Sequence, residues 1–330
     1  MQNNTVNILI TGGTGFLGGH LVKELLCQKH NIRLLVRKDN SQYRHNNDKL
    51  KVIVGDLSDF DSLQKATDGV DLIYHMAAQL GKWGVPDEDF HRVNVVGTEN
   101  LLAASAKNAG ARFVFTSTPG VQGKGHPRAV ELFPYNPPYI YEKTKCAAEK
   151  LVLEYGRKFG MPIVIIRPDF VYGPGDYRRI SLYRAIKKKR FVCIGNGHAR
   201  LHPTYIEDAI QGLILAGFHP AASGEIFNIA GRDNLTVDDY LQSIALELDV
   251  KIPPFYIPKI IGLGSAFICE AVSKTLHQPP FISHSKIEFL TLDHGSDISK
   301  ARRILGYDPK YSFTDGFKLT HKWAVKNNLL

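Results

Sequence analysis

The chain has 330 residues, and its 44% of hydrophobic and 22% of charged residues are typical of a folded globular protein, which excludes disorder as its main state. Its 41 lysines and arginines outnumber its 32 aspartates and glutamates, which gives a formal net charge of +9. Such a charge is compatible with a nucleic acid, an anionic membrane surface, a small acidic ligand or simply a solvated basic surface. No nucleic-acid-binding motif accompanies the charge, so no nucleic-acid partner is predicted.

The cysteines, the first residues and the most apolar stretch predict neither a metal site nor a targeting or membrane-spanning segment. The 4 cysteines are far apart and form no Cys-x-x-Cys pair, so no metal site is predicted. The first residues have neither a basic nor a long apolar segment, so no signal peptide is predicted and a cytoplasmic location is expected. The most apolar stretch, residues 260–273, is shorter than the roughly 18 apolar residues of a membrane-spanning helix. Its helical periodicity predicts an amphipathic helix that either covers an apolar substrate or belongs to the core.

Short apolar segments alternate with helical patterns through the first half of the chain. This alternation predicts the α/β class, with a Rossmann-type doubly wound parallel sheet and helices on both faces. The predicted strands are residues 6–10, 32–36, 52–54, 72–74, 113–115 and 163–166, and the predicted helices lie near 16–28, 88–109 and 141–159.

The composition changes after residue 168, where proline, glycine and aromatic residues become frequent. We therefore predict a Rossmann domain over 1–172 and a smaller, mostly C-terminal substrate-binding lobe over 173–330. A later strand near 225–230 is expected to return to the first domain. The basic run 187–190 is typical of a solvated face, and it also suits an anionic substrate or peripheral contact with a membrane.

A glycine-rich turn follows the first predicted strand. Gly12, Gly15 and Gly18 form G-x-x-G-x-x-G between a strand and a helix, which is the context that a dinucleotide-binding turn requires. Residues without Cβ let the backbone approach a pyrophosphate, and the helix start at Phe16 and Leu17 presents free N–H groups to it. The turn predicts a dinucleotide site.

The residue that follows the second strand bears on the choice of cofactor. A carboxylate about 20 residues after the glycines binds the ribose 2′-hydroxyl of NAD. Arg37 stands 19 residues after Gly18, and Lys38 follows it. A guanidinium suits a 2′-phosphate, so NADP is predicted. The alternatives are an ordinary surface charge at Arg37, and NAD binding supported by the nearby Asp39.

The pattern Tyr-x-x-x-Lys at Tyr141 and Lys145 opens the helix predicted near 141–159. The spacing places both side chains on one helical face, where the ammonium favours the phenolate and lowers a tyrosine pKa that is ordinarily about 10. Tyr139 and Lys143 have the same spacing and form a rival pair. The pair therefore predicts acid–base chemistry, with the frame left open by spacing alone.

Three hydroxyl residues end the strand that precedes this helix. Thr116, Ser117 and Thr118 fall at the carboxyl edge of the predicted sheet, where ligands of open α/β sheets bind. One hydroxyl can hold a substrate carbonyl while Tyr141 delivers a proton, and the others have a structural explanation as strand-end caps.

These motifs, in this order, resemble the extended short-chain dehydrogenase/reductase family over nearly the whole chain. Within that family the chain looks most like the 3β-hydroxysteroid dehydrogenase group, with its bacterial 2-alkyl-3-oxoalkanoate reductases, and dihydroflavonol reductases are further relatives. Additional stretches that match the family are residues 55–57, 75–78, 81–84, 94–98, 167–168, 171–176, 205–208 and 305–309.

The resemblance implies roles for individual residues. Tyr141 would be the catalytic acid/base and Lys145 its partner, because the family's helix continues to a glutamate that is Glu149 here. Thr118 would be the catalytic hydroxyl, five residues before Gly123, although serine is usual there. Further implied roles are support of a proton-relay water by Asn94, adenine contacts by Asp56 and Leu57, and cofactor contacts by Ala77, Ala78, Ser117 and Pro168.

The predicted function is NADP(H)-dependent hydride transfer between nicotinamide and a ketone or secondary alcohol on a largely apolar substrate, such as a 3-oxo acid or a 3β-hydroxysteroid. A sugar-nucleotide epimerase or dehydratase with tightly held NAD is one alternative, which Arg200 and the turn 195–197 keep open. A non-catalytic NADP-binding sensor is the other. The family also implies a homodimer formed through helices near 90–108 and 141–159.

Overall fold

The computed structural model describes residues 5–38, 47–81, 83–107, 110–252, 255–276 and 278–330. Asp39 lies outside these residues. The central element is a seven-stranded parallel sheet with the strand order β12-β7-β5-β4-β1-β2-β3. The predicted Rossmann-type sheet is therefore confirmed. Its strands are β1 (Asn7–Thr11), β2 (Asn31–Val36), β3 (Leu50–Val54), β4 (Leu72–His75), β5 (Arg112–Thr116), β7 (Ile163–Pro168) and β12 (Ile226–Ile229).

Helices cover both faces of this sheet. Ile8 and Ile10 of β1 belong to one buried cluster, and Leu9 between them belongs to the cluster on the opposite face. Strands buried on both faces need apolar residues at every position, which explains their continuous apolar runs. The helices are α1 (Phe16–Cys27), α2 (Phe60–Thr67), α3 (Asp87–His91), α4 (Gly97–Ala106), α5 (Ile140–Phe159), α6 (Ile180–Lys187), α7 (Ile206–Phe218), α8 (Val237–Glu247), α9 (Lys259–Leu276), α10 (His284–Thr291), α11 (Ser299–Leu305) and α12 (Phe313–Lys326).

A second, four-stranded sheet has the order β13-β10-β15-β6. Its strand β6 comes from before residue 172, whereas β12 of the large sheet comes from after it, so segments cross the predicted boundary in both directions. The limits 1–172 and 173–330 remain a prediction. The remaining strands are β6 (His126–Ala129), β8 (Val171–Tyr172), β9 (Cys193–Ile194), β10 (Arg200–Leu201), β11 (Thr204–Tyr205), β13 (Leu235–Thr236), β14 (Tyr256–Ile257) and β15 (His294–Ser296).

The helix predicted near 88–109 is not continuous. A π-helical turn, Arg92–Val96, separates α3 from α4. Such turns insert a residue into the helix and are frequent at functional sites. Here the turn carries Asn94, whose side chain forms hydrogen bonds with Gln79 and Thr144 outside this helical segment.

Helix α9 contains the apolar stretch 260–273, so the predicted helix is confirmed, but most of its large apolar side chains lie outside the core. Its buried residues are Gly262, Ala266 and Ser273. Ile260 is 82% exposed and Phe267 is 70% exposed. The alternative that this stretch belongs to the core is therefore wrong for these residues. None of the helices in the described ranges combines the length and the hydropathy of a membrane-spanning segment.

Candidate active site

The glycine turn after β1 brings two backbone segments into close contact. Gly12 has φ +74°, and a Cβ there would lie 2.6 Å from the backbone nitrogen of Ala77. A Cβ on Gly18 would lie 2.3 Å from the carbonyl oxygen of Gly12. Gly15 donates a hydrogen bond to that same oxygen at 3.0 Å, which closes the turn. Side chains at 12 and 18 are therefore excluded by packing, and Gly15 remains at the open side.

The first turn of α1 is suited to an anion. The helix begins at Phe16 directly after Gly15 and has no acidic residue in its first turn. Its first four N–H groups lack helical acceptors, as at every helix start, and carry the positive end of the helix dipole. The N–H groups of Phe16, Leu17 and Gly18 are thus available at this end, and the glycine cradle fits a dinucleotide pyrophosphate.

The residues predicted for the adenosine end lie together at the ends of β2 and β3. Arg37 follows β2 and is exposed, as is Lys38. The pKa of Asp56 is lowered, first by hydrogen bonds from Ser58 and further by the positive charge of Arg37. Leu57 is buried and packs against Gly97, where an added Cβ would lie 2.8 Å from the Cβ of Leu57.

Tyr141 and Lys145 lie one turn apart near the start of α5. Lys145 is buried, and its Nζ lies 3.9 Å from the centre of the Phe115 ring at the end of β5. Burial lowers the pKa of Lys145 to about 7, against the opposing charge of Glu149. Burial, together with the neighbouring carboxylate of Glu142, raises the pKa of Tyr141 to about 12, and the positive charge that opposes this rise is that of Arg178. The lowered tyrosine pKa expected from Lys145 is therefore wrong for this structure, because burial dominates.

The rival pair, Tyr139 and Lys143, has different surroundings from Tyr141 and Lys145. The hydroxyl of Tyr139 donates a hydrogen bond to Glu288 of α10, and Lys143 is exposed. Lys124 also donates to Glu288, at 2.7 Å. The structure therefore brings Lys145, and not Lys143, against the edge of the sheet.

The hydroxyl residues after β5 differ in their surroundings. Ser117 is buried, and its Oγ has no hydrogen-bond partner among the described residues. The same holds for Oγ1 of Thr116. Thr118 begins the short helical turn Pro119–Gln122, and its Oγ1 accepts a hydrogen bond from Gly120 N at 3.3 Å. A buried hydroxyl without a protein partner at a sheet edge suits a bound ligand.

Asn94 connects the loop after β4 to α5. Its Oδ1 accepts from the backbone nitrogen of Gln79 at 2.7 Å, and its Nδ2 donates to Gln79 O at 3.1 Å and to Thr144 Oγ1 at 3.0 Å. This holds the loop that contains Ala77 and Ala78 against the helix that carries Tyr141. Asn94 thus acts as a brace, a geometry that the sequence did not predict.

His75 extends this brace to the glycine turn. Thr98 donates to Asn94 O at 2.7 Å, so its Oγ1 accepts from His75 Nε2 at 2.9 Å. His75 Nδ1 then accepts from Thr11 Oγ1 at 2.7 Å. Burial lowers the pKa of His75 to about 3, which keeps the ring neutral. The sequence showed His75 only as part of a family stretch, and a polar residue ending a buried strand was the available signal.

Glu149 also lies on α5, one turn after Lys145. Its carboxylate accepts from Arg167 Nε at 2.9 Å and Nη2 at 2.6 Å, and both side chains are buried. Tyr135 donates to the same carboxylate at 2.8 Å. The pair anchors α5 to β7, whose last residue is Pro168, at the carboxyl edge of the sheet.

A parallel sheet with an open glycine cradle at its first turn, and with a tyrosine and a buried lysine at its carboxyl edge, defines an oxidoreductase of the dinucleotide-binding, short-chain type. A family model described as "NAD dependent epimerase/dehydratase family" matches residues 8–230. The chain belongs to this family. The predicted family and enzyme class, an NAD(P)-dependent dehydrogenase or reductase, are confirmed.

Named relatives and a solved structure agree with this assignment. The chain is 32% identical over 326 residues to a 3 beta-hydroxysteroid dehydrogenase/Delta 5→4-isomerase of Mycobacterium tuberculosis, covering 92% of this chain and 86% of that protein. It is 29% identical over 331 residues to a 2-alkyl-3-oxoalkanoate reductase of Stenotrophomonas maltophilia, covering 95% and 98%. A UDP-glucuronic acid 4-epimerase from Bacillus cereus, solved in complex with NAD, is similar with a TM-score of 0.79 and 25% identity, over 98% of this chain and 100% of that chain.

Proposed function

We propose that the protein is an NADP(H)-dependent oxidoreductase that transfers hydride between nicotinamide and a ketone or secondary alcohol on a largely apolar substrate. The observation that carries the proposal is the position of Tyr141 and Lys145 on α5, with the lysine buried beside Phe115 at the carboxyl edge of the sheet. This is where ligands bind in open α/β sheets.

The cofactor would supply or accept the hydride when bound. The glycine cradle and the start of α1 would hold its pyrophosphate, and Arg37 with Lys38 would face a 2′-phosphate. The remaining residues proposed to contact the cofactor are Asp56, Leu57, Ala77, Ala78, Ser117 and Pro168. NADP rather than NAD is supported by the guanidinium of Arg37 at the end of β2, where a carboxylate would favour NAD.

Residues of the chain itself would transfer the proton to and from the substrate oxygen. Tyr141 would donate its proton to the substrate oxygen during reduction and take it back during oxidation. When protonated, Lys145 would stabilise the phenolate that remains after Tyr141 has given up its proton. Thr118 would hold the substrate oxygen with its hydroxyl. Asn94 would keep α5 in position through Thr144.

The proposed substrate class is a 3-oxo acid or a compound similar to a 3β-hydroxysteroid. Two relatives are named for a 3β-hydroxysteroid and for a 2-alkyl-3-oxoalkanoate. The epimerase alternative has less support, because the residues that favoured it have structural partners. Arg200 donates to Asn234 O at 3.0 Å, and a Cβ on Gly197 would lie 2.0 Å from the Asp238 carboxylate.

The experiment is NADPH oxidation by purified protein with a panel of 3-oxo acids and 3-oxosteroids. We expect turnover by the wild type and a loss of about 10²–10⁴-fold in Tyr141→Phe. Tyr139→Phe, which removes a hydroxyl from the residue just before α5, is the matched control and should retain turnover. Equal turnover in Tyr141→Phe and the wild type would contradict the assignment.

Two further outcomes separate the alternatives. Copurified NAD together with a thermal shift by a UDP-sugar would favour an epimerase. Tight NADP binding without turnover on the whole panel would favour a sensor.

We also propose a homodimer formed through α4 and α5. The exposed apolar residues Val96, next to α4, and Phe159, at the end of α5, support this surface. A sedimentation measurement that gives twice the chain mass, and half that value in Phe159→Glu, would test it. The cytoplasmic location remains a prediction.

A further inference from the structure

Helix α9 has an unusual distribution of side chains. Its small residues Gly262, Ala266 and Ser273 are buried, and a Cβ on Gly262 would lie 2.7 Å from Ile194 of β9. Large apolar residues instead form the exposed side, and Glu270, the charged residue between 260 and 272, is partly buried and accepts hydrogen bonds from His284. We call this side the apolar face of α9; its members are Ile260, Ile261, Phe267, Ile268, Ala271 and Val272, and all but the alanine are large side chains more than half exposed.

The polar residues beside this face have their hydroxyls bonded within the helix. Ser265 donates to Ile261 O at 2.9 Å, and Thr275 donates to Ala271 O at 3.3 Å. A hydroxyl that is already bonded to its own helix loses little when water is removed. The apolar face can therefore enter a medium without water and leave neither of these donors without a partner.

The topology brings a strongly basic segment to the same pair of strands on which α9 packs. Strand β9 pairs with β14, so Val192 and Phe255, which precede the paired residues Cys193 and Tyr256, come to adjacent positions. Both are exposed. The exposed run 187–190, Lys-Lys-Lys-Arg, ends just before Val192 and Phe191. Helix α9 begins two residues after β14 and packs on β9 through Gly262, so the basic run and the helix that carries the apolar face adjoin the same pair of short strands.

We propose that the apolar face of α9, with Val192, Phe255 and the basic run 187–190, docks on the surface of an anionic lipid bilayer. Apolar side chains would enter the boundary between headgroups and acyl chains, and the lysines and arginine would contact the negative headgroups. Charge complementarity selects this occupant over a second copy of the chain, since a second copy that docked through the same surface would place its own basic run 187–190 against this one.

The face also borders the lobe that adjoins the candidate active site. Helix α10 packs on α9, and Glu270 of α9 accepts from the backbone nitrogen of His284 at 2.8 Å. Glu288 of the same α10 accepts the hydrogen bonds from Lys124 and Tyr139. If the proposed function holds, docking would place the substrate lobe against the phase in which an apolar substrate dissolves.

The test is cosedimentation of the full chain with phosphatidylcholine vesicles that contain or lack phosphatidylglycerol, without substrate. We expect binding to the anionic vesicles that weakens with added salt, and little binding to phosphatidylcholine alone. The double variant Phe267→Glu/Ile268→Glu should lower the partition coefficient by on the order of a hundredfold, since it removes two large apolar side chains from the contact. Lys188→Glu/Lys189→Glu should reduce the dependence on anionic lipid.

The control variant is Leu132→Glu, which places a charge at an apolar side chain that is 93% exposed in the segment after β6. It should bind vesicles like the wild type. A thermal unfolding midpoint equal to that of the wild type verifies the fold of each variant. Wild-type protein that stays in solution with every vesicle would overturn the proposal. So would self-association that disappears in Phe267→Glu/Ile268→Glu, because a second copy would then be the occupant. Neither outcome depends on turnover, so neither bears on the proposed oxidoreductase activity.

Discussion

Asn94 Nδ2 and Thr144 Oγ1 are joined by a hydrogen bond of 3.0 Å, which links the π-helical turn after α3 to the helix that carries Tyr141 and Lys145. The Thr144 hydroxyl in turn donates a hydrogen bond to Tyr141 O at 2.8 Å. One buried hydroxyl therefore lies between the brace at Asn94 and the residue proposed as the acid/base.

Thr144→Val tests this relationship. The substitution keeps the shape of the side chain and removes both hydrogen bonds, so we expect kcat to fall about tenfold or more through misplacement of Tyr141, with a smaller change in KM. The unfolding free energy should fall by about 1–3 kcal/mol because Asn94 Nδ2 loses one partner. Thr320→Val is the control: it removes a buried hydroxyl that donates to Gly316 O at 2.8 Å in α12. Equal effects of the two variants on kcat would refute a positioning role.

Gly12→Ala should abolish cofactor binding. The new Cβ would lie 2.6 Å from Ala77 N, and the backbone at φ +74° is unfavourable for alanine. Gly69→Ala separates the effect of the positive φ from the effect of the close contact, because Gly69 has φ +61° with no atom within 4 Å of the new Cβ. We expect Gly69→Ala to cost about 1–2 kcal/mol of stability without affecting cofactor affinity. Calorimetric titration with NADPH measures the difference, and unchanged NADPH affinity in a folded Gly12→Ala would argue against the cradle.

Arg37→Ser should change cofactor preference. Loss of a charge-assisted contact with a 2′-phosphate is expected to weaken NADPH binding by about 10–100-fold and to leave NADH binding nearly unchanged. Arg157→Ser, which removes an exposed arginine from the end of α5, controls for the loss of one positive charge. If both cofactors weakened equally in Arg37→Ser, the NADP assignment would be lost.

His75 should make the protein sensitive to acid. Burial lowers its pKa to about 3 from an ordinary value of 6.5, so the unfolded chain binds a proton between these values and the folded chain does not. The contribution of neutral His75 is therefore complete above pH 6.5 and is lost as the pH falls toward 3, by on the order of 5 kcal/mol.

Urea unfolding at several pH values between 7 and 4 measures this dependence. His75→Gln should be less stable at pH 7, where hydrogen bonds to Thr11 and Thr98 are lost, but should show a shallower loss of stability on acidification. His198→Gln, at an exposed position before β10, controls for the removal of one imidazole. A slope in His75→Gln as steep as in the wild type would exclude His75 as the source.

The fold and the glycine turn could be predicted from the sequence because both follow from local patterns. Continuous apolar strands require burial on both faces, and Gly12 and Gly18 stand where no Cβ fits. The break in the helix near 92–96 could not be predicted, because it depends on bonds from Asn94 to residues distant in the chain. Spacing alone also could not decide between Tyr139 and Tyr141, and it is the resemblance to the family, through Glu149, that favours Tyr141. Spacing is identical in the two frames, and only the packing of α10 places Glu288 against Tyr139.

The exposed side of α9 could not be predicted for a related reason. Helical periodicity shows that Ile260 and Phe267 lie on one side, but it does not say whether that side faces the protein. Here the small residues of the opposite side allow close approach to β9, and this packing turns the large residues outward.

The position of β12 in the central sheet has a consequence for how the chain acquires its structure. During synthesis the edge of β7 that pairs with β12 stays unpaired until residues 226–229 have emerged from the ribosome. Strand β6 can pair with β15 only after residues 294–296 have been made. Exposed strand edges recruit other chains, so a fragment that ends near residue 172 would be prone to aggregate. The nucleotide-binding half thus depends on the late part of the chain to complete its own sheet, and the two halves mature together.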